Sequence, residues 1–121
     1  MNLRPATILC VDDEHTALTI RMMLLESEGY RVLTAESGRE ALELFQSSAV
    51  DLAIVDYWMD GMKGVALCRE LKRLKPALPV IILSGFAEFP YETLGLADAW
   101  IMKGGDTQHL LKILKELLNR P

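Results

Sequence analysis

Four stretches of this chain carry residues able to do chemistry, and each follows a short apolar run. ATILCV, residues Ala6 to Val11, is followed at once by Asp12, Asp13 and Glu14; LAIV, residues Leu52 to Val55, ends on Asp56; PVIIL ends on Ser84; AWIM, residues Ala99 to Met102, ends on Lys103. Uninterrupted, β-branched runs of this kind read as strands covered on both faces in a parallel sheet. An open α/β sheet binds ligands beyond the carboxyl ends of its strands, so these groups are expected to converge at one edge. Three carboxylates crowded there repel and raise one another's pKa. The usual relief is a hard divalent cation such as Mg²⁺, which takes a few carboxylates together with waters and phosphate oxygens. A lysine and a hydroxyl alongside supply a cation and a donor for a phosphoryl group, so the combination describes phosphoryl chemistry. Each residue alone has a plainer reading: Asp56 as a turn cap, Ser84 as a turn hydroxyl, Lys103 as a solvated charge, Trp100 as packing. Their arrival together at matching strand ends outweighs those readings.

The elements that must position them alternate strictly. After the first strand, Leu18, Met22 and Leu25 follow helical spacing from His15 to Glu28, with Met23 and Leu24 widening the stripe and Gly29 placed to stop the helix. RVLTA, residues 31 to 35, is a second strand. Ser37 and Glu40 match a capping box that opens a helix to about Ser48, with Ala41, Leu42 and Phe45 on its apolar face. Asp51 introduces the third strand, and beyond its loop Val65, Cys68, Leu71 and Leu74 mark a third helix that Pro76 and Pro79 bracket off. From Phe86 to Ala97 only Tyr91, Leu94 and Ala97 keep helical spacing around Pro90, which predicts one short helix. Asp106 or Thr107 caps a last helix carrying Leu110, Leu111, Leu114, Leu117 and Leu118 on one face. Five strand–helix units imply a parallel sheet with right-handed crossovers and helices on both faces, a three-layer α/β/α fold.

A chain of 121 residues fits one domain, and half of it is apolar with a quarter charged, an ordinary globular composition. A net charge of −4 offers no basic stripe for nucleic acid. Cys10 and Cys68 lack metal-ligand spacing and read as buried free thiols, while His15 and His109 read as exposed helix residues. Neither a charged-then-apolar leader nor an apolar run near membrane length is present, which predicts a cytoplasmic protein without membrane contact. The closing Asn119-Arg120-Pro121 fits the cut end of a longer chain as readily as a true terminus.

From the acidic pair after the first strand to the lysine after the fifth, the chain resembles a receiver domain of a two-component response regulator, over essentially its whole length. The resemblance implies a flavodoxin-like (βα)5 fold with a doubly wound, five-stranded parallel sheet and no output domain within residues 1–121. It also implies a set of roles. Asp56 would be the phosphoacceptor, and Asp12, Asp13, Asp56 and the backbone carbonyl of Trp58 would hold Mg²⁺ or Mn²⁺. Lys103 would bind the phosphoryl group, Ser84 would be the switch hydroxyl and Trp100 the switch aromatic. The donor would be a histidine kinase or histidine phosphotransfer protein. The output would be a reshaped surface read by an effector protein or domain, or used for phosphorylation-dependent dimerisation. Such a domain is not an enzyme in its own right.

Three departures from the family pattern bear on this. Asp60 stands where proline is usual and Lys63 where an acid is common. Gly104 replaces the proline that usually follows the lysine, and a cis bond before a non-proline residue costs about 2.5–4 kcal/mol, so a trans peptide is expected. Ser84 to Trp100 is short by about one helical turn and contains Pro90. Trp58 and Phe86 occupy the two positions with which the family tunes water access to the acyl phosphate, and their bulk predicts slow self-dephosphorylation. Three other readings compete. A haloacid dehalogenase-type phosphohydrolase would carry its nucleophile after the first strand in an Asp-x-Asp pattern, whereas this strand ends Asp-Asp-Glu. A receiver-like interaction module working without phosphate would fit the altered segment after Ser84. A flavin-binding relative would want hydroxyls and glycines where the first loop is acidic.

Overall fold

The computed structural model of the chain describes residues 4–59, 63–85 and 95–120. Its elements run β1 (Thr7–Val11), α1 (His15–Ser27), β2 (Arg31–Ala35), α2 (Gly38–Ser47), β3 (Leu52–Asp56), α3 (Gly64–Leu74), β4 (Val80–Ser84), β5 (Ala99–Met102) and α4 (Thr107–Leu118). All strands pair in parallel in the order β2-β1-β3-β4-β5, the flavodoxin-like arrangement, whose strand order reverses between β1 and β3. Of the short helix expected between the last two strands, residues 86–94 lie outside the described residues. Gly95 to Asp98 form a turn into β5, with Leu96 and Ala97 against the core.

The period of two along each strand sorts the core into two layers. Leu9, Val11, Ala53, Val55, Val80 and Ile82 point to one face with the apolar sides of α2 and α3. Ile8, Cys10, Leu52, Ile54, Ile81 and Leu83 point to the other, with α1 and α4. Because both faces are covered, the central strands read as continuous apolar runs rather than alternating ones.

Local signals set the helix ends. Ser37 Oγ accepts from the Glu40 amide at 3.1 Å, and the Glu40 carboxylate reaches back to the Glu36 amide at 3.5 Å, one residue before the position an ideal capping box would satisfy. Asp106 caps α4 by accepting from the Gln108 amide at 2.9 Å. Gly29, just beyond α1, has φ +94°. Two expected core positions are corrected. Met23 is 62% exposed, because it lies across the helix from the buried Leu18 and Leu25. Leu74, the final residue of α3, is 37% exposed, and Leu67 is buried on that helix instead.

Two carboxylates at the amino-terminal edge of the sheet tie the layers. Asp51 accepts from the Thr7 amide at 2.7 Å and pairs with Arg4. Asp98 receives Lys72 from α3, the Val80 amide from β4 at 2.8 Å and Arg120 from beyond α4 at 3.0 Å. No helix among the described residues is long and apolar enough to cross a membrane.

Candidate functional site

Strand parity explains which side chains meet at the carboxyl edge. Asp12, Asp56 and Lys103 continue the alternation that faces α1 and α4, at the ends of the neighbouring strands β1 and β3 and of β5, which β4 separates from β3. Ser84 and Trp100 share the opposite parity, on neighbouring strands whose register places Ile82 beside Trp100 and Ser84 beside Met102. Two backbone bonds carry the ladder past the strand ends: the Tyr57 amide donates to Leu83 and the Lys103 amide to Ser84, both at 2.7 Å.

Asp12, Asp13 and Asp56 each place a carboxylate oxygen within 4.8 Å of the others. Asp12 and Asp56 are buried and Asp13 is exposed, so the cluster opens to solvent on one side. The Lys103 ammonium lies 2.9 Å from Asp12 Oδ2, 3.3 Å from Asp56 Oδ1 and 3.6 Å from Glu14 Oε2. Burial, and then the charge of Asp12, push the Asp56 carboxyl up to about 6, with Lys103 pulling it back and Asp13 adding a smaller push. Partial burial works against the Lys103 charge, but its hydrogen bond to Asp12 and the charges of Asp56 and Asp12 outweigh that and hold its pKa above the ordinary value. At neutral pH the pair is therefore a largely ionised carboxylate beside a secure ammonium. A donor set of three carboxylates with open solvent on one side suits a hard divalent ion that keeps several waters.

The remaining expected residues fall around this centre. Ser84 is buried at the end of β4, and Trp100 is partly buried on β5 against the α2/α3 layer. Trp58, two residues beyond Asp56, exposes 48% of its surface, and the Lys63 ammonium lies 4.9 Å from its ring centre. Phe86 lies outside the described residues, as does Asp60. Among the described residues no peptide bond is cis, and Gly104 has φ +79°, a conformation that favours glycine where the family usually has proline.

Three residues at the site escaped sequence reasoning. Tyr57 is buried, with its ring 5.2 Å from that of Trp58 and 6.1 Å from that of Trp100, so it stands between the loop after Asp56 and β5. Its place next to Asp56 in an otherwise apolar strand exit was the available signal. Gly64 donates its amide to the Tyr57 carbonyl at 2.9 Å, and a Cβ there would overlap the Asp56 carbonyl oxygen. Arg21, on α1, reaches Asp12 Oδ2 at 3.4 Å with only 10% of its side chain exposed. A lone arginine inside a helix's sequence gives no sign of that.

The sequence and the fold both have counterparts among known proteins. Residues 8–115 match the family described as Response regulator receiver domain. The transcriptional regulatory protein ZraR of Escherichia coli (strain K12) is 42% identical over 115 residues, covering 92% of this chain and 26% of its own length. The transcriptional regulatory protein GlrR of the same organism is 43% identical over 90 residues, 74% of this chain and 20% of its own. The chain thus spans a fifth to a quarter of those two relatives. The crystal structure of response regulator protein TrrA from Thermotoga maritima, in complex with Mg²⁺-BeF, superposes with a TM-score of 0.87 at 32% identity, covering 93% of this chain and 98% of that one. With its strand order, its acid cluster and its lysine in place, and with the family pattern spanning β1 to α4, the chain belongs to the receiver domains of two-component response regulators.

Proposed function

We propose that Asp56 is the phosphoacceptor of this domain, receiving a phosphoryl group from the phosphohistidine of a histidine kinase or histidine phosphotransfer protein. The observation that carries this reading is the meeting of three carboxylates within 4.8 Å, with the Lys103 ammonium 3.3 Å from Asp56 Oδ1. An Asp56 carboxylate oxygen attacks phosphorus, the phosphorus–nitrogen bond breaks, and the imidazole leaves with the bonding pair. An acyl phosphate on Asp56 results. Asp12, Asp13, Asp56 and the Trp58 carbonyl would hold Mg²⁺ or Mn²⁺, which when bound supplies neutralisation of the phosphoryl oxygens. Lys103 contributes a second positive charge, and its hold on Asp12 and Asp56 keeps the nucleophile aimed at the open side of the cluster.

The phosphoryl group brings dianionic charge and acceptor oxygens to the buried end of β3. Ser84, beside it on β4, then turns its hydroxyl inward, and Trp100 changes rotamer into the space released. Tyr57, in ring contact with both tryptophans, moves with them. The change is a shift between two populated states, set by the difference in phosphoryl contacts between them. Trp58 and Phe86 would screen the acyl phosphate from water and lengthen its life. Residues 1–121 would fold as one domain without catalysing turnover of an external substrate. Its output would pass in the cytoplasm to an effector protein or domain, or to a second phosphorylated copy, in keeping with the transcriptional regulatory proteins it resembles.

Beryllofluoride with Mg²⁺, a mimic of the phosphoryl group, tests the reading through tryptophan fluorescence. The native chain should respond saturably, and Asp56→Asn should not. A native chain with no response would overturn it.

A further inference from the structure

The acid cluster contains one cation more than phosphoryl chemistry calls for. Lys103 and Arg21 share a single oxygen, Asp12 Oδ2, at 2.9 and 3.4 Å, while Asp12 Oδ1 accepts from the Glu14 amide at 2.9 Å. Asp12 is fully buried and the Arg21 side chain 10% exposed, so their attraction is little screened by water or salt. The two partners differ in freedom. Lys103 also contacts Asp56 and Glu14, and a phosphoryl group on Asp56 would draw its ammonium away from Asp12. Arg21 is held on α1 with its side chain largely out of solvent, and has Asp12 as its one carboxylate ion-pair partner among the described residues.

Resting on the assignment of the acid cluster as the metal site, we infer that Arg21 is a resident counter-ion of that site, a positioning residue that holds Asp12 in place and sets how tightly the divalent ion binds. Asp12, Asp13 and Asp56 gather at the metal site, and the Arg21 charge, 3.4 Å from Asp12 Oδ2, offsets part of their negative charge and repels an incoming cation. Removing Arg21 would take away that positive charge and leave the donors more negative, so the ion would bind more tightly while the metal-free protein, with its buried Asp12 deprived of one of its two cations, would be weakened. Arg21 thus keeps the pocket assembled without metal and confines loading to conditions where the ion is plentiful.

The test compares the native chain with Arg21→Met, Arg21→Lys and Asp13→Asn at pH 8, by calorimetric titration with Mg²⁺ and by thermal melts in EDTA. Arg21→Met should bind Mg²⁺ at least about tenfold more tightly, because a unit charge some ångströms from a divalent ion in a partly buried site is worth more than a factor of ten in affinity. It should also melt at a lower temperature in EDTA and gain more from Mg²⁺, while Arg21→Lys stays close to native in both. If the methionine variant does not fold without metal, Arg21→Gln, which keeps a donor but no charge, makes the same comparison. A Mg²⁺ affinity unchanged or weakened on removing the charge, with Asp13→Asn having lost binding, overturns the role of Arg21 alone. A native chain that binds no Mg²⁺, or an Asp13→Asn variant that binds it unchanged, overturns the metal-site assignment and this inference with it.

Discussion

Asp56 is ionised at neutral pH against its surroundings, and that has a measurable cost. Its pKa of about 6 in the folded chain, raised by burial and by Asp12, stands above the roughly 3.9 of an unfolded aspartate. A carboxylate raised in this way binds protons more readily folded than unfolded, so its ionised form destabilises the fold above about pH 6, and the penalty fades as pH falls toward about 4. In EDTA, Asp56→Asn should therefore stabilise the domain by about 2 kcal/mol at pH 8 in denaturant melts, with the gain shrinking through pH 6 and vanishing near pH 4. A constant difference across that range would contradict the origin of the shift. At this scale most of the site was legible. Asp12, Asp13, Asp56, Ser84 and Lys103 each follow an apolar strand, and parallel strands bring their ends to one edge. Cys10 and Cys68 were legible as buried free thiols, and burial pushes the Cys10 thiol up to about 12. Arg21 was not, because its pairing with Asp12 depends on how α1 lies over the sheet, which no local pattern encodes.

The elements differ in how far local sequence determines them. α2 and α4 carry clear caps, and replacing Ser37 with alanine should cost about 1 kcal/mol in denaturant melts through the unsatisfied Glu40 amide. α1 and α3 start without a side-chain cap from the residue before them. In α1 the Asp12 carboxylate accepts the Glu14 amide instead, so a site residue also shapes the helix entry. In α3 the close approach of Gly64 to the Asp56 carbonyl does the corresponding work, holding the start of the helix against the end of β3. Gly64→Ala should destabilise the domain by about 2–3 kcal/mol, since the added methyl forces backbone apart from backbone. Unfolding midpoints equal to those of the native chain would show that the contact between Gly64 and the end of β3 gives way without cost. The glycine was visible in the sequence, but a close backbone approach between β3 and α3 is a tertiary fact. For the same reason Met23 and Leu74 were misplaced: helical spacing gives a face, and packing decides how wide that face is.

Across the whole molecule the two ends of the sheet have opposite electrostatic characters. At the carboxyl edge, acids crowd and the fold is strained by their charge. At the amino edge, Asp98 is partly buried, yet hydrogen bonds from Lys72, the Val80 amide and Arg120 hold its carboxyl below the usual range. A carboxylate lowered in this way contributes stability above about pH 4 that is lost as pH falls further. Asp98→Asn should destabilise the domain at neutral pH, by roughly the 1.5–3 kcal/mol of a hydrogen bond to a charged group, the reverse of Asp56→Asn, and the penalty should shrink in acid. The fold class followed from strict strand–helix alternation, but the joining of α3, β4 and the end of α4 through Asp98 did not, because its partners lie far apart in sequence. The central claim, that the carboxyl edge exists to phosphorylate Asp56, is tested most directly by intact-protein mass spectrometry after incubation with acetyl phosphate and Mg²⁺. The native chain should gain the mass of a single phosphoryl group, labile to hydroxylamine and absent in EDTA and in Asp56→Asn. A native chain that gains none, or an Asp56→Asn variant that gains it equally, would contradict the account.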